Sequence, residues 1–106
     1  MRKRFIGMLM LVAILFLVTS AMAGPIKYTV AGYPAAISEN LLDKAIDYAV
    51  AGDRAAMQQL LNSGLVIMLK GGIKVEMVKL KLFRGRVKIR PFGTTLEVWT
   101  VIEAVK

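Results

Sequence analysis

The sequence predicts an α+β domain, in which a helical hairpin precedes a small antiparallel β-barrel that ends in a short helical turn. Apolar residues recur at helical spacing between positions 38 and 64. From position 65 onward, β-branched residues alternate with polar ones and glycine or proline marks the turns. The first 23 residues are organised as a secretion signal, so the folded part is expected to begin at Gly24.

The leader is predicted from three adjoining features. Basic residues at positions 2–4 precede an apolar run from Phe5 to Val18, and Ala21-Met22-Ala23 has the small-x-small pattern that signal peptidase cleaves. Residues 1–23 are therefore interpreted as a signal peptide, and the protein as periplasmic or secreted. The alternative is an uncleaved inner-membrane anchor, because a spanning helix needs about 20 apolar residues and this run approaches that length.

Composition restricts how the exported part is stabilised. Residues 24–106 are enough for one small domain, and the chain has no cysteine, so packing or a partner has to replace disulfides. The formal net charge is +8, and it is +5 without the three cations of the leader. Residues 65–106 carry nine cations against three acids. The positive charge therefore belongs mainly to the predicted β region.

Residues 24–37 are predicted to be a connecting arm, because Pro25, Gly32 and Pro34 interrupt them. The alternation from Ile26 to Val30 also permits a short edge strand. Tyr28 in this segment is expected to be a packing residue.

Residues 38–64 are predicted to form the helical hairpin. Ser38 suits the N-cap of the first helix, Gly52 its end, and Asp53 the cap of a second, shorter helix. Within the first helix, Leu42, Ile46 and Val50 are expected to cover the β core. The phrase Ala51-Gly52-Asp53, with Leu60-Leu61 and Gly64, resembles the helix pair of a single ankyrin repeat. No second copy follows, so the hairpin is interpreted as packing on the β unit rather than as an array.

Residues 65–106 are predicted to form the barrel. Leu65 to Leu69 is a continuous apolar run and predicts a buried strand. The apolar phase of the next strand changes after Met77, which predicts a bulge or a sharp bend. Pro91 should end the following strand, since it has no N–H to donate. Thr100 and Glu103 match a capping box that would open the final helical turn.

This succession of short strands resembles an SH3-like barrel of the type found in exported bacterial proteins. The residues that carry the resemblance are the Val66 to Val75 hairpin, Gly85 to Arg90, and Trp99-Thr100. The acidic loop and paired aromatic residues with which signalling SH3 domains bind proline-rich peptides are not evident. The resemblance therefore implies a fold and no particular ligand.

The search for catalytic chemistry yields no candidate. Absence of histidine and cysteine removes Ser-His-Asp and Cys-His systems and ordinary zinc sites. Asp43 and Asp47 lie one helical turn apart, but two carboxylates do not make a calcium site and a solvated helix face is favoured. Trp99 is expected to fill one end of the barrel rather than to offer a stacking surface. We expect neither an enzyme nor a resident metal or cofactor.

The basic β-hairpin is the strongest candidate for a binding surface. A turn at Arg84-Gly85 would set Leu82 opposite Val87 and Lys81 opposite Lys88, with Leu80 and Leu82 facing inward. Like charges opposed across a ladder are unfavourable, so their presence indicates either binding or protection of a sheet surface against aggregation. The candidate residues for an anionic partner are Lys79, Lys81, Arg84, Arg86, Lys88 and Arg90.

Two functions remain open on the sequence. The favoured one is a non-catalytic binding module of the bacterial cell envelope that holds an anionic partner: acidic glycan, phospholipid head groups or an acidic protein surface. The alternative is a structural or assembly accessory protein that uses the helical hairpin as its interface. Nucleic acid is disfavoured, because export argues against it and because Phe83 is the only aromatic residue between the cations of the predicted hairpin.

Overall fold

A computed structural model describes residues 24–106, and the predicted leader lies outside them. The described residues contain two helices and six strands. None of these helices has the length and apolar character required to cross a bilayer. The elements in chain order are β1 (Ile26–Tyr28), β2 (Pro34–Ala36), α1 (Glu39–Ala51), α2 (Arg54–Asn62), β3 (Val66–Met68), β4 (Lys74–Lys81), β5 (Arg86–Pro91), β6 (Val98–Val101) and a 3-10 turn (Ile102–Ala104).

The six strands form one antiparallel sheet in the order β1-β4-β5-β6-β2-β3. The predicted α+β class and antiparallel sheet are confirmed, but the sheet is not a closed barrel, because β1 and β3 lie at its two ends. Two backbone hydrogen bonds connect the segment that follows β1 to the segment that follows β3. They run from Gly32 N to Leu69 O (3.3 Å) and from Gly72 N to Thr29 O (2.8 Å). These bonds bring the two ends of the sheet near each other without a continuous ladder.

The segment predicted as a connecting arm holds β1 and β2, and β1 is the edge strand that its alternation permitted. The predicted Val66 to Val75 hairpin is wrong, because β3 pairs with β2 whereas β4 pairs with β1 and β5. The buried Thr29 separates the two ladders: its hydroxyl donates to Lys70 O and accepts from Ile73 N. The turn between β3 and β4 is thus held by the side chain of Thr29, which directly follows β1.

The helical hairpin is confirmed with its predicted caps. Ser38 Oγ accepts a hydrogen bond from Leu41 N at 3.2 Å, and Asp53 Oδ1 accepts one from Ala56 N at 3.1 Å. Gly52 ends α1 in the left-handed conformation, with φ of 70°, which a residue with a Cβ adopts only with strain.

Only the first half of α1 covers the sheet. Leu42 and Ala45 are fully buried against a cluster with Ala36, Val66 and Trp99, and Ile46 packs partly on it. Val50 is 84% exposed, so the expectation that it covers the core is wrong. The last turn of α1, before Gly52, therefore does not cover the sheet.

Strand alternation separates a second apolar cluster from the first. Val87 and Ile89 of β5 and Val98 of β6 turn away from the helices, whereas Trp99 turns toward them. The second cluster consists of Ala35, Leu69, Val75, Val87, Ile89, Val98 and Ala104. Burial of Trp99 within a packed cluster agrees with its expected packing role.

Two predicted details near the C-terminal turn differ in outcome. The ladder between β4 and β5 shifts register between Met77 and Lys79, which confirms the predicted bulge. The predicted capping box is wrong: Thr100 lies inside β6, and its hydroxyl donates to Pro34 O at 2.8 Å. The 3-10 turn has no side-chain cap, because its N-cap residue is Val101, whose side chain has no hydrogen-bonding group.

Candidate functional site

The six predicted binding residues lie together on β4, β5 and the turn between them, and we call them the cationic face. Lys79 lies opposite Lys88, and Lys81 lies opposite Arg86. Residues opposite one another project to the same side of a sheet. Lys88 is also opposite Trp99, which packs under α1, so the cationic face is on the helix side of the sheet.

The predicted register of this hairpin is wrong. Leu80 lies opposite Val87, and Leu80 and Leu82 are exposed, whereas they were expected to face the core. The turn comprises residues 82–85 rather than only Arg84 and Gly85, and this places Lys81 opposite Arg86 instead of Lys88. The bulge changes the register only on its other side, where Met77 lies opposite Ile89.

Helix α1 supplies two carboxylates that separate the opposed cations at the turn end of the hairpin. Glu39 binds Lys81 and also contacts Arg84, whose Nε lies 3.2 Å from Oε2. Asp43 accepts from Arg84 Nη2 at 3.0 Å and from Arg86 Nη2 at 3.1 Å. Each acid therefore bridges two cations, which offsets the repulsion expected from the ladder alone.

Two further carboxylates occupy the other end of the cationic face. Glu97 lies 3.2 Å from Lys88 Nζ and 3.7 Å from Arg90 Nη1, and Glu76 binds Arg90 directly across the ladder. Among residues 24–106, Lys79 is the one member of the cationic face without a carboxylate partner.

Trp99 lies beneath two of these cations. Its ring centroid is 5.2 Å from Lys81 Nζ and 5.7 Å from Lys88 Nζ, within the range of a cation–π interaction. The ring is only 8% exposed, so it has no free surface on which a ligand could stack. Trp99 instead joins the ion-pair layer to the apolar cluster below it.

The four partner carboxylates are the residues that sequence reasoning missed. Asp43 was interpreted as part of a solvated helix face, and no partner was predicted for Glu39. Glu76 lies directly opposite Arg90, a pairing that only the observed register reveals. Within the described chain, no group of three or more potential ligands could hold a metal ion, and Asp43 is committed to arginines.

Comparison with known proteins finds no matching family, no matching characterised protein and no matching solved structure.

Proposed function

We propose that the protein is an exported, non-catalytic module of the bacterial cell envelope that binds an anionic partner across its cationic face. The proposal includes the periplasmic or secreted location that the leader predicts. It also includes kinship of the curled sheet with bacterial SH3-like domains, supported by the bulged β4–β5 pair and the 3-10 turn that follows β6.

The observation that carries this function is the charge left after the internal ion pairs are formed. Four of the seven carboxylates in residues 24–106 are engaged by the cationic face. The side chains without such a partner are seven cations against three acids, so the surface field is positive. The unpaired cations are Lys27, Lys44, Arg54, Lys70, Lys74, Lys79 and Lys106.

A matched pair of charge reversals tests the proposal. Lys79→Glu changes the cationic face, and Lys44→Glu makes the same change in net charge on the exposed side of α1. The measurement is the salt concentration that elutes each variant from immobilised heparin, a generic polyanion. We expect Lys79→Glu to elute at clearly lower salt than Lys44→Glu.

Equal shifts for the two variants would contradict the proposal, because they would show attraction by net charge without a defined face. Circular dichroism and a thermal melt confirm that both variants are folded. Both side chains are exposed and make no ion pair, so neither change should lower the melting temperature by more than about 2 °C.

One observation favours the alternative function, an assembly accessory protein with the helical hairpin as interface. A cleft of ≈ 500 Å³ opens where α1 ends and α2 begins, lined by Tyr48, Met57 and the Gly52-Asp53-Arg54 turn among others. Val50 is exposed close by in sequence, in the last turn of α1. Under this alternative, Met57→Asp would abolish binding to an envelope protein partner, whereas Lys79→Glu would leave that binding intact.

A further inference from the structure

The sheet places two exposed aromatic residues and two unpaired lysines in one row at the end of the cationic face farthest from the β4–β5 turn. Tyr28 lies opposite Lys74 in the β1–β4 ladder. On its other side, Tyr28 exchanges two backbone hydrogen bonds with Lys106, at 2.8 and 3.0 Å. Phe92 N donates to Lys74 O at 3.1 Å, one step beyond the Val75–Pro91 pair. The order across the sheet is Lys106, Tyr28, Lys74 and Phe92, which we call the aromatic–lysine row.

Sheet geometry puts the four side chains on one face. Directly opposed residues of antiparallel strands project to the same side, and this holds for each successive pair in the row. The same alternation places Lys74 on the side of Glu76 and Arg90, so the row continues the cationic face.

Both rings are accessible, in contrast to Trp99. Tyr28 is 47% exposed and Phe92 is 48% exposed. The ammonium of Lys74 lies over the Phe92 ring, 4.5 Å from its centroid, so it covers one face of that ring and leaves the other face for a ligand. Tyr28 was expected to be a packing residue, and the structure instead presents it to solvent.

The lysines of the row have no aspartate or glutamate partner. No Asp or Glu side chain of residues 24–106 pairs with Lys74 or Lys106, and Glu76, which projects from β4 to the same face, is bound to Arg90. Lys27 also has no such partner, but it lies opposite the buried Val75 and therefore projects to the other face of the sheet.

The spacing of the row indicates the class of ligand. Alternating Cα separations of about 4.5 and 5.5 Å put the two lysines, and likewise the two rings, about 10 Å apart. That distance is close to the length of a disaccharide repeat in an extended polysaccharide. Sugar rings present C–H faces that pack on the electron-rich faces of aromatic rings. A single-stranded nucleic acid needs a longer series of rings and cations, since its sites extend over about 4–16 nucleotides.

We infer that the aromatic–lysine row binds an acidic polysaccharide that carries a carboxylate on alternate sugars, with one sugar stacked on each ring and a carboxylate at Lys74. A shallow cavity of ≈ 180 Å³ beside Phe92, lined by Arg90 and Thr94 among others, accommodates sugar hydroxyls. This inference rests on the proposed function, because it assigns a chemical class to the anionic partner of the same sheet face.

Hyaluronan oligosaccharides test the inference, because they carry one carboxylate on every second sugar. Calorimetric titration of the protein should show binding that Phe92→Leu weakens about threefold to tenfold, since leucine keeps the apolar bulk and removes the ring. Lys74→Gln should weaken it about twofold to fivefold at low salt and less at high salt. Tyr28→Phe keeps the ring and should bind like the unmodified protein, whereas Tyr28→Leu should behave like Phe92→Leu.

The controls separate this inference from the proposed function. Hyaluronan binding that is unchanged in Phe92→Leu and Lys74→Gln would overturn the inference, and the proposed function would stand if Lys79→Glu still eluted earlier from heparin. If the unmodified protein bound neither hyaluronan nor heparin, both the inference and the proposed function would be overturned. A short oligothymidylate bound more tightly than hyaluronan, with the same dependence on Phe92 and Lys74, would replace the polysaccharide by single-stranded nucleic acid. A neutral chitin oligosaccharide should bind at least tenfold more weakly than hyaluronan, and equal binding would rule out a role for charge.

Discussion

The turn end of the cationic face and the aromatic–lysine row, which lies beyond its other end, contain similar residues in opposite situations. At the turn end, Lys81, Arg84 and Arg86 are bound by the α1 carboxylates Glu39 and Asp43. In the aromatic–lysine row, Lys74 has no aspartate or glutamate partner and lies between two exposed rings. The same β4–β5 ladder thus attaches a helix at one end and presents free charge at the other.

This difference shows that local density of positive charge is a poor guide to a binding site. The densest run of cations in residues 24–106, from Lys79 to Arg90, is mostly neutralised by the protein's own acids. Most of the charge that remains free is carried by lysines spread along the chain, and the pairings of Tyr28 bring two of them, Lys74 and Lys106, into one row. The comparison predicts distinct responses to substitution at the two ends.

The largest expected effect concerns how α1 is held. If apolar contact rather than ion pairing dominates, Leu42→Ala should destabilise the protein by about 2–4 kcal/mol, because Leu42 is fully buried against Trp99. Val50→Ala is the matched control in the same helix and should change the unfolding free energy by less than about 0.5 kcal/mol. Urea titration monitored by Trp99 fluorescence measures both, and similar values for the two variants would show that α1 is not part of the core.

A smaller effect is expected at the turn end of the cationic face. Lys81→Glu places a second carboxylate beside Glu39 and should cost about 1 kcal/mol, kept low because Lys81 is partly exposed to solvent. The exchanged pair, Lys81→Glu with Glu39→Lys, should recover about half of that loss or more. Unchanged stability of the single variant would show that the helix carboxylates are not engaged in solution.

The smallest effect on stability is expected at the far end. Lys74→Gln removes no ion pair and only one exposed cation–π contact, so the unfolding free energy should fall by less than about 1 kcal/mol. Differential scanning calorimetry of Lys74→Gln and Lys81→Glu under the same conditions compares their losses of stability directly. A greater loss for Lys74→Gln than for Lys81→Glu would reverse the assignment of structural and free charge to the two ends.

Features that depend on neighbouring residues could be predicted from the sequence. Ser38, Gly52 and Asp53 act within one or two turns of the chain, and their roles as helix caps are confirmed. The phase change after Met77 is also local, and it predicted the bulge correctly.

Features that depend on distant pairing could not be predicted. The predicted register next to the turn was wrong because the turn comprises residues 82–85, and period-two alternation carries no information on the length of a turn. The predicted capping box was wrong because Thr100 belongs to β6, where its hydroxyl donates to Pro34 O in a strand that is distant in sequence. Tyr28 was interpreted as a packing residue, because the residues next to it in the sequence do not indicate that Lys74 and Lys106 pair with it in the sheet.

The pairing of Thr29 with Val105 has a consequence for biosynthesis. The bonds that complete the surroundings of Tyr28 and Val30 come from residues 104–106, which follow all six strands of the sheet in the chain. The N-terminal strand therefore cannot reach its final state until those residues have also been synthesised. Long-range closure of this kind slows folding. For a protein with a predicted export signal, that delay leaves an interval in which the chain is still unfolded and can be translocated across a membrane.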